Sequence, residues 1–189
     1  VDNTSTLYPK IQYIPYPKVG TINPAARIGV IELASRKTTW MPIPGDERDN
    51  YLPRMEWVDD KRLVIQQLNR LQNRLVVYLA NVTNSQADVV LTEQDEAWID
   101  VEDTFHWLAD QSEPSRDQLQ EKKRSQFAWL SEQTGWRHIY LASVESKSIK
   151  PVTSGDFDVM EILGIDDGAQ WIYFYASPSN ATQSYLYRV

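Results

Sequence analysis

No cysteine occurs anywhere in the 189 residues, so disulfide scaffolds, zinc–thiolate centres and thiol nucleophiles are excluded at the outset. Histidine is nearly as scarce, with only His106 and His138, too few for a histidine-rich metal centre. No apolar run approaches the ~18 residues of a membrane-spanning helix, and Val1-Asp2-Asn3 carries neither the basic nor the apolar region of a secretion signal. A chain that starts mid-protein, or after processing, is the expectation. Positive charge is also short: the formal net charge is -7, and the longest basic run, Lys122-Lys123-Arg124, follows Glu121 and reads as a solvated face. Without a basic stripe to neutralise phosphates, nucleic acid is not an expected partner. No Asp-x-Asp-x-Asp-Gly calcium loop is present, and neither a metal nor a cofactor is expected.

What is abundant is aromatic. Seven Trp, ten Tyr and four Phe stand against seven Gly, a composition that suits pleated, half-buried strands. Arg27–Leu33 and Thr38–Ile43 read as a hairpin around Ala34-Ser35-Arg36-Lys37, with Pro42 confining the second strand to an edge. Pro44 to Asn50 is a turn-rich loop, Tyr51–Trp57 a further strand, and Asp59-Asp60 a turn into Arg62–Leu68. Arg74–Val82 and Asp88–Thr92 continue the pattern. Helical periodicity touches only Arg116–Arg124, where one apolar residue offers no face to bury, so residues 110–124 read as an exposed insertion.

Repetition organises the rest. Ser125–Leu130 and His138–Val144, a strand pair around a polar turn, are echoed by Gln170–Tyr175 and Ser184–Tyr187, and Trp129 lies 42 residues before Trp171. Leu63-Val64-Ile65 and Val76–Leu79 form the same pair upstream. A period of ~40–45 residues with four strands is that of a β-propeller blade. One such sheet cannot bury both faces alone, so blades stack around an axis. The expected fold is therefore all-β: a partial β-propeller of about four blades of four-stranded antiparallel sheet, in one domain over residues 1–189. The strand at Tyr185–Val189 has no capping segment after it, which suggests a boundary between blades.

Four prolines interleaved with aromatics between Leu7 and Pro24 forbid a helix and make residues 7–31 an extended arm leading into the first strand. This arm, with Tyr8-Pro9-Lys10, Pro15-Tyr16-Pro17-Lys18 and Asn23-Pro24, is followed by Leu68-Asn69-Arg70-Leu71-Gln72-Asn73 and then Gly135-Trp136-Arg137-His138-Ile139-Tyr140. In that order the three motifs resemble the N-terminal β-propeller of the dipeptidyl peptidase IV family of serine exopeptidases. The resemblance implies a propeller that caps an α/β-hydrolase domain and an enzyme that removes N-terminal dipeptides with Pro or Ala at the penultimate position. It also implies a peptide substrate, the chain's own C-terminal hydrolase domain as partner, a homodimer, and a periplasmic or extracellular setting. No Gly-x-Ser-x-Gly elbow is present, and the family's paired glutamates would precede the arm, so no residue of this chain is expected to be catalytic. By resemblance, Trp98, Asp100, Glu102 and Asp103 belong to a loop near the substrate, and Tyr13, Tyr16 and Pro17 to the dimer arm. At Glu102 and Asp103 the chain is acidic where relatives have room for a basic or aromatic residue.

Other candidates have plainer readings. Glu93, Asp95, Glu96, Asp100, Glu102 and Asp103 read as solvated loop carboxylates, and His106 and His138 as strand residues bonded to neighbours. Trp57, Trp98, Trp107, Trp129 and Trp171 are expected to pack between blades. Asn3, Asn81 and Asn180 start glycosylation sequons, which chance alone often supplies. Two rival functions remain open: a stand-alone propeller that binds a protein or glycan, and an enzyme using paired carboxylates.

Overall fold

A computed structural model describes residues 4–16, 18–109, 124–166, 168 and 170–189. Among the described residues fourteen strands run in chain order: β1 Gly29–Ile31, β2 Thr38–Trp40, β3 Asn50–Tyr51, β4 Met55–Trp57, β5 Arg62–Asn69, β6 Arg74–Asn81, β7 Gln86–Gln94, β8 His106–Ala109, β9 Arg124–Ser131, β10 His138–Ser143, β11 Ile149–Pro151, β12 Val159–Ile165, β13 Ile172–Ala176 and β14 Tyr185–Arg188. They form four sheets, each a meander of antiparallel neighbours. The first is the β1–β2 hairpin. In the second, β3 and β4 share one side of β5 and the order continues through β6 to β7. The third runs β8-β9-β10-β11 and the fourth β12-β13-β14.

The strand pairs that repeat in the sequence occupy equivalent places. β5–β6, β9–β10 and β13–β14 are each the second and third strands of their sheets. Their alternation explains the stacking. Along β5, Leu63 and Ile65 turn to one face and pack with Ile28 and Met41 of the first hairpin. Val64 and Leu68 turn to the other and meet Phe127 and Trp129 of β9. The β9 residues between them, Ala128 and Leu130, face β12 and β13 at Val159, Ile162 and Phe174. Three apolar clusters thus lie between consecutive sheets. This is why β5 is buried continuously from Leu63 to Leu68 rather than at every second residue. The result is the expected partial β-propeller.

Two strands, β11 and β12, were not anticipated from the sequence, and of β8 only His106 was read as a strand residue. β11 is three residues long, ends in Pro151 and pairs only with β10, features that blunt a sheet edge. Arg124, placed with the exposed insertion, instead opens β9 and reaches the Trp57 carbonyl at 2.8 Å. The remainder of that insertion, 110–123, lies outside the described residues. Of the tryptophans expected between blades, Trp129 is buried and Trp107 is half-buried, stacked with Phe105 and edge-on to Phe127. Trp57, Trp98 and Trp171 are exposed. Trp171 carries the Arg188 guanidinium 4.2 Å above its ring instead of a neighbouring sheet.

His138 has the structural role read for it. It is buried, with Nε2 3.0 Å from the Gly155 carbonyl and Nδ1 3.2 Å from Thr153 Oγ1. Around the exposed arm, Tyr13 and Tyr16 present their rings to solvent, and Pro17 lies outside the described residues.

Candidate functional site

The loop from β7 to β8 is held from several sides. Asp95 Oδ1 accepts from the amides of Ala97 and Trp98, turning the chain at its start. The Asp95 and Ile99 amides donate to the carbonyls of Asn73 and Gln72, at 3.0 and 2.8 Å, and so tie the loop to the β5–β6 turn. Ile99 and Phe105 are buried in the cluster between the second and third sheets. Gln66 of β5, fully buried, donates from Nε2 to the Glu102 carbonyl at 2.8 Å. Asp103 pairs with Arg54. These ties make the loop a fixed wall.

The facing wall is the β9–β10 turn, where Gly135 takes a left-handed φ of 93° and its amide closes on the Glu132 carbonyl at 2.8 Å. Arg137 projects from this turn. Its amide donates to Asp158 at 2.8 Å, its Nη1 to the Met160 carbonyl at 3.2 Å, and its Nη2 to the Glu102 carboxylate. Between the walls lies a narrow cleft, open to solvent and lined by residues that include Glu93, Trp98, Asp100, Glu102, Glu132 and Arg137.

Of the loop residues expected near a substrate, the structure brings Trp98, Asp100 and Glu102 into this cleft and turns Asp103 away to Arg54. The Trp98 ring is half exposed, and its Nε1 donates to Asp100 at 3.0 Å. Two of the six acidic residues read as solvated are not. Glu93 accepts from Trp129 Nε1 at 2.7 Å and Glu102 is paired with Arg137. Burial pushes the Glu93 carboxyl above the ordinary glutamate range, although the Ser131 hydroxyl and Trp129 indole favour its charged form. Burial likewise raises Glu102 and outweighs the pull of Arg137. Asp95, Glu96, Asp100 and Asp103 are exposed, as expected.

Gln66, Ser131 and Arg137 enter the site without having been singled out for it. For Arg137 the available signal was its place in the Gly135-Trp136-Arg137-His138 turn. Burial of Gln66 on a strand with two covered faces has no such marker.

Chemically, the cleft sets five carboxylates, Glu93, Asp95, Asp100, Glu102 and Glu132, against the single guanidinium of Arg137 beside an indole wall. Such a lining favours a cationic, partly apolar group. No histidine lines the cleft, so Ser131 has no imidazole base to activate it there.

The family profile of the dipeptidyl peptidase IV (DPP IV) N-terminal region matches residues 1–189. A protein named Probable dipeptidyl peptidase 4 from Neosartorya fischeri is 26% identical over 187 residues, covering 96% of this chain and 23% of the relative. The Inactive dipeptidyl peptidase 10 of Mus musculus is 31% identical over 198 residues, covering 97% and 23%. The chain therefore spans about a quarter of the length of these relatives. The crystal structure of Porphyromonas gingivalis dipeptidyl peptidase 4 superposes with a TM-score of 0.74 at 22% identity, over 98% of this chain and 24% of that one, and so shares its fold. Among the described residues no helix is long and apolar enough to cross a membrane. The three sequence motifs, the stacked meander sheets and the full-length profile match agree: the chain belongs to the dipeptidyl peptidase IV family and represents its N-terminal region.

Proposed function

We propose that the chain is the non-catalytic propeller portion of a dipeptidyl-peptidase-IV-like serine exopeptidase, which removes N-terminal dipeptides with Pro or Ala at the penultimate position. In this reading the propeller shapes and gates access to a hydrolase site elsewhere in the protein, which works in the periplasm or outside the cell. The observation that supports it most is the cleft between the Trp98–Glu102 loop and the Arg137 turn. Its walls are rigidly tied, its lining is anionic, and a peptide entering by its charged amino end would meet complementary potential. The arm carrying Tyr13 and Tyr16 would contribute to a homodimer, since exposed aromatic residues on an extended segment are costly to leave in water.

Full-length protein assayed on glycyl-prolyl and alanyl-alanyl nitroanilides, with and without an N-acetyl block, tests the reading. Turnover confined to the unblocked substrates supports it. No turnover of any substrate removes the peptidase assignment. Light scattering across a dilution series, with Tyr13→Ala and Tyr16→Ala alongside, tests the arm: a dimer weakened by either substitution is expected, and a monomer throughout removes the dimer.

A second reading, a binding propeller in a protein without catalysis, is favoured by one observation. The mouse relative named as inactive matches this chain at 31% identity, so likeness in this region does not separate active from inactive members.

A further inference from the structure

The two walls of the Arg137 cleft are anchored separately. The β7–β8 loop is tied to the β5–β6 turn at the Asn73 and Gln72 carbonyls, to β5 through Gln66, and to Arg54 through Asp103. On the other side the β9–β10 turn closes on itself at Gly135, and Asp158 holds the Arg137 amide. Across the mouth the walls meet through the Glu102 carboxylate and the Arg137 guanidinium. Because each backbone keeps its own ties, this contact can part by rotation of side chains alone.

The pair is unevenly balanced. Glu102 is the more buried partner. It faces Arg137 and Glu132 from the β9–β10 turn, Glu93 from β7, and Asp100 and Asp103 from its own loop. Burial, and after it the Asp103 and Asp100 charges, disfavours the Glu102 carboxylate, while the Arg137 charge and hydrogen bond favour it. When Glu102 takes up a proton, Arg137 loses its counter-charge. Nη1 still donates to the Met160 carbonyl at 3.2 Å, so Nη2 is left at the cleft mouth as a donor in need of an anion.

We propose that the Glu102–Arg137 pair is a latch opened by proton uptake on Glu102, and that the opened latch presents Arg137 to a carboxylate entering the cleft. Closed, the latch cancels the guanidinium and leaves the anionic lining to a cationic group. Open, it gives the same cleft a site for negative charge. Its role as a regulator of peptide entry rests on the reading of this cleft as the way to a hydrolase site.

Saturation-transfer titration of the full-length protein with N-acetylglycine, a carboxylate without an amine, reads the latch directly. Binding near pH 5 is expected to be at least about tenfold tighter than near pH 7.5, the scale of one charge-assisted contact. Glu102→Gln cannot ionise, and should bind at both pH values as tightly as the parent does in acid. Arg137→Met should lose the acid-induced binding. Affinity in the parent that does not change with pH overturns the proposal. So does Glu102→Gln binding no tighter than the parent at neutral pH, or acid-induced binding that survives Arg137→Met. Glu102→Gln, which keeps the side-chain volume, decides the matter by itself if Arg137→Met does not fold. No turnover enters these readouts, so the latch and the peptidase reading can each fail without the other.

Discussion

Arg137 donates to the Glu102 carboxylate across the cleft, and through this one contact the β9–β10 turn is joined to the β7–β8 loop. The same guanidinium reaches the Met160 carbonyl of β12, while Gln66 of β5 holds the Glu102 carbonyl from below. Three consecutive sheets are thus connected through two charged side chains at the mouth of the candidate site. The pair is partly buried, with side-chain exposures of 29% and 14%. Its removal should be felt in stability as well as in binding.

Arg137→Met is expected to destabilise the chain by about 2 kcal/mol, a value below that of a fully buried pair because Arg137 remains partly open to solvent. The loss arises from leaving Glu102 buried and uncompensated. The double variant Arg137→Met/Glu102→Gln should therefore be more stable than Arg137→Met alone. Urea unfolding of the two single variants and the double variant checks this. A double variant less stable than either single one would show that the charges do not act on each other.

Glu93 predicts an unusual pH dependence. Its carboxyl is raised in the folded protein by burial, so its protonated form is the one the fold prefers. That contribution is fully present below the unfolded value of 4.5 and is lost as pH rises through the folded one. Glu93→Gln keeps an acceptor for Trp129 Nε1 and cannot ionise. The melting temperature of Glu93→Gln relative to the parent should rise from pH 4.5 towards neutrality, and a flat difference across that range would contradict the assignment.

Asp59 carries the opposite sign. Burial pushes its carboxyl up, but the amides of Lys61 and Arg62 and the Arg62 guanidinium outweigh burial and hold it below the ordinary aspartate value of 3.8. Its contribution is present above 3.8 and lost as pH falls through the lower folded value. Arg62 also reaches Glu145 of the next sheet at 2.8 Å. Asp59→Asn should lower stability at neutral pH by about 1 kcal/mol, and the gap should close in acid. Thermal melts between pH 2 and pH 7 measure it.

Gly155 tests the packing beneath His138. It holds φ at 134°, and a Cβ there would lie 2.8 Å from the Phe157 ring. Gly155→Ala is expected to cost about 2–3 kcal/mol from backbone strain and the clash together. Chemical denaturation reads the loss. A change below about 0.5 kcal/mol, the range of neutral surface substitutions, would mean that the turn relaxes without cost.

Gln66 separates anchoring from stability. Gln66→Met removes the hydrogen bond to the Glu102 carbonyl but also removes a buried, unpartnered Oε1. The two effects oppose, and net stability should change by less than about 1 kcal/mol. Amide exchange in the loop at 98–104 should nevertheless quicken. Unchanged exchange would show that Ile99 and Asp103 hold the loop without Gln66.

Strand pairs such as β5–β6 and β9–β10 were legible because long apolar runs bounded by polar turns leave few alternatives. β11 and β12 were not. β11 is a three-residue edge with a proline, and β12 mixes exposed Met160 and Glu161 with buried Val159 and Ile162 across two register shifts, which breaks the alternation that would announce it. The substrate-side loop was placed by family resemblance. Its composition suggested six solvated acids, whereas Glu93 and Glu102 are taken out of water by the sheet that follows them.

The sequence by itself determined the all-β class, the blade-length repeat, the exclusion of thiol and zinc–thiolate chemistry, and the family. These follow from residue types and their spacing along one strand or turn. Only the tertiary structure decided that Glu102 meets Arg137, that Glu93 lies under Trp129, and that Asp103 turns away to Arg54. The first two depend on two sheets stacking at a particular offset. Because inner strands such as β5 and β9 bury both faces, that offset is set by the interlocking of whole apolar faces, which no local pattern records.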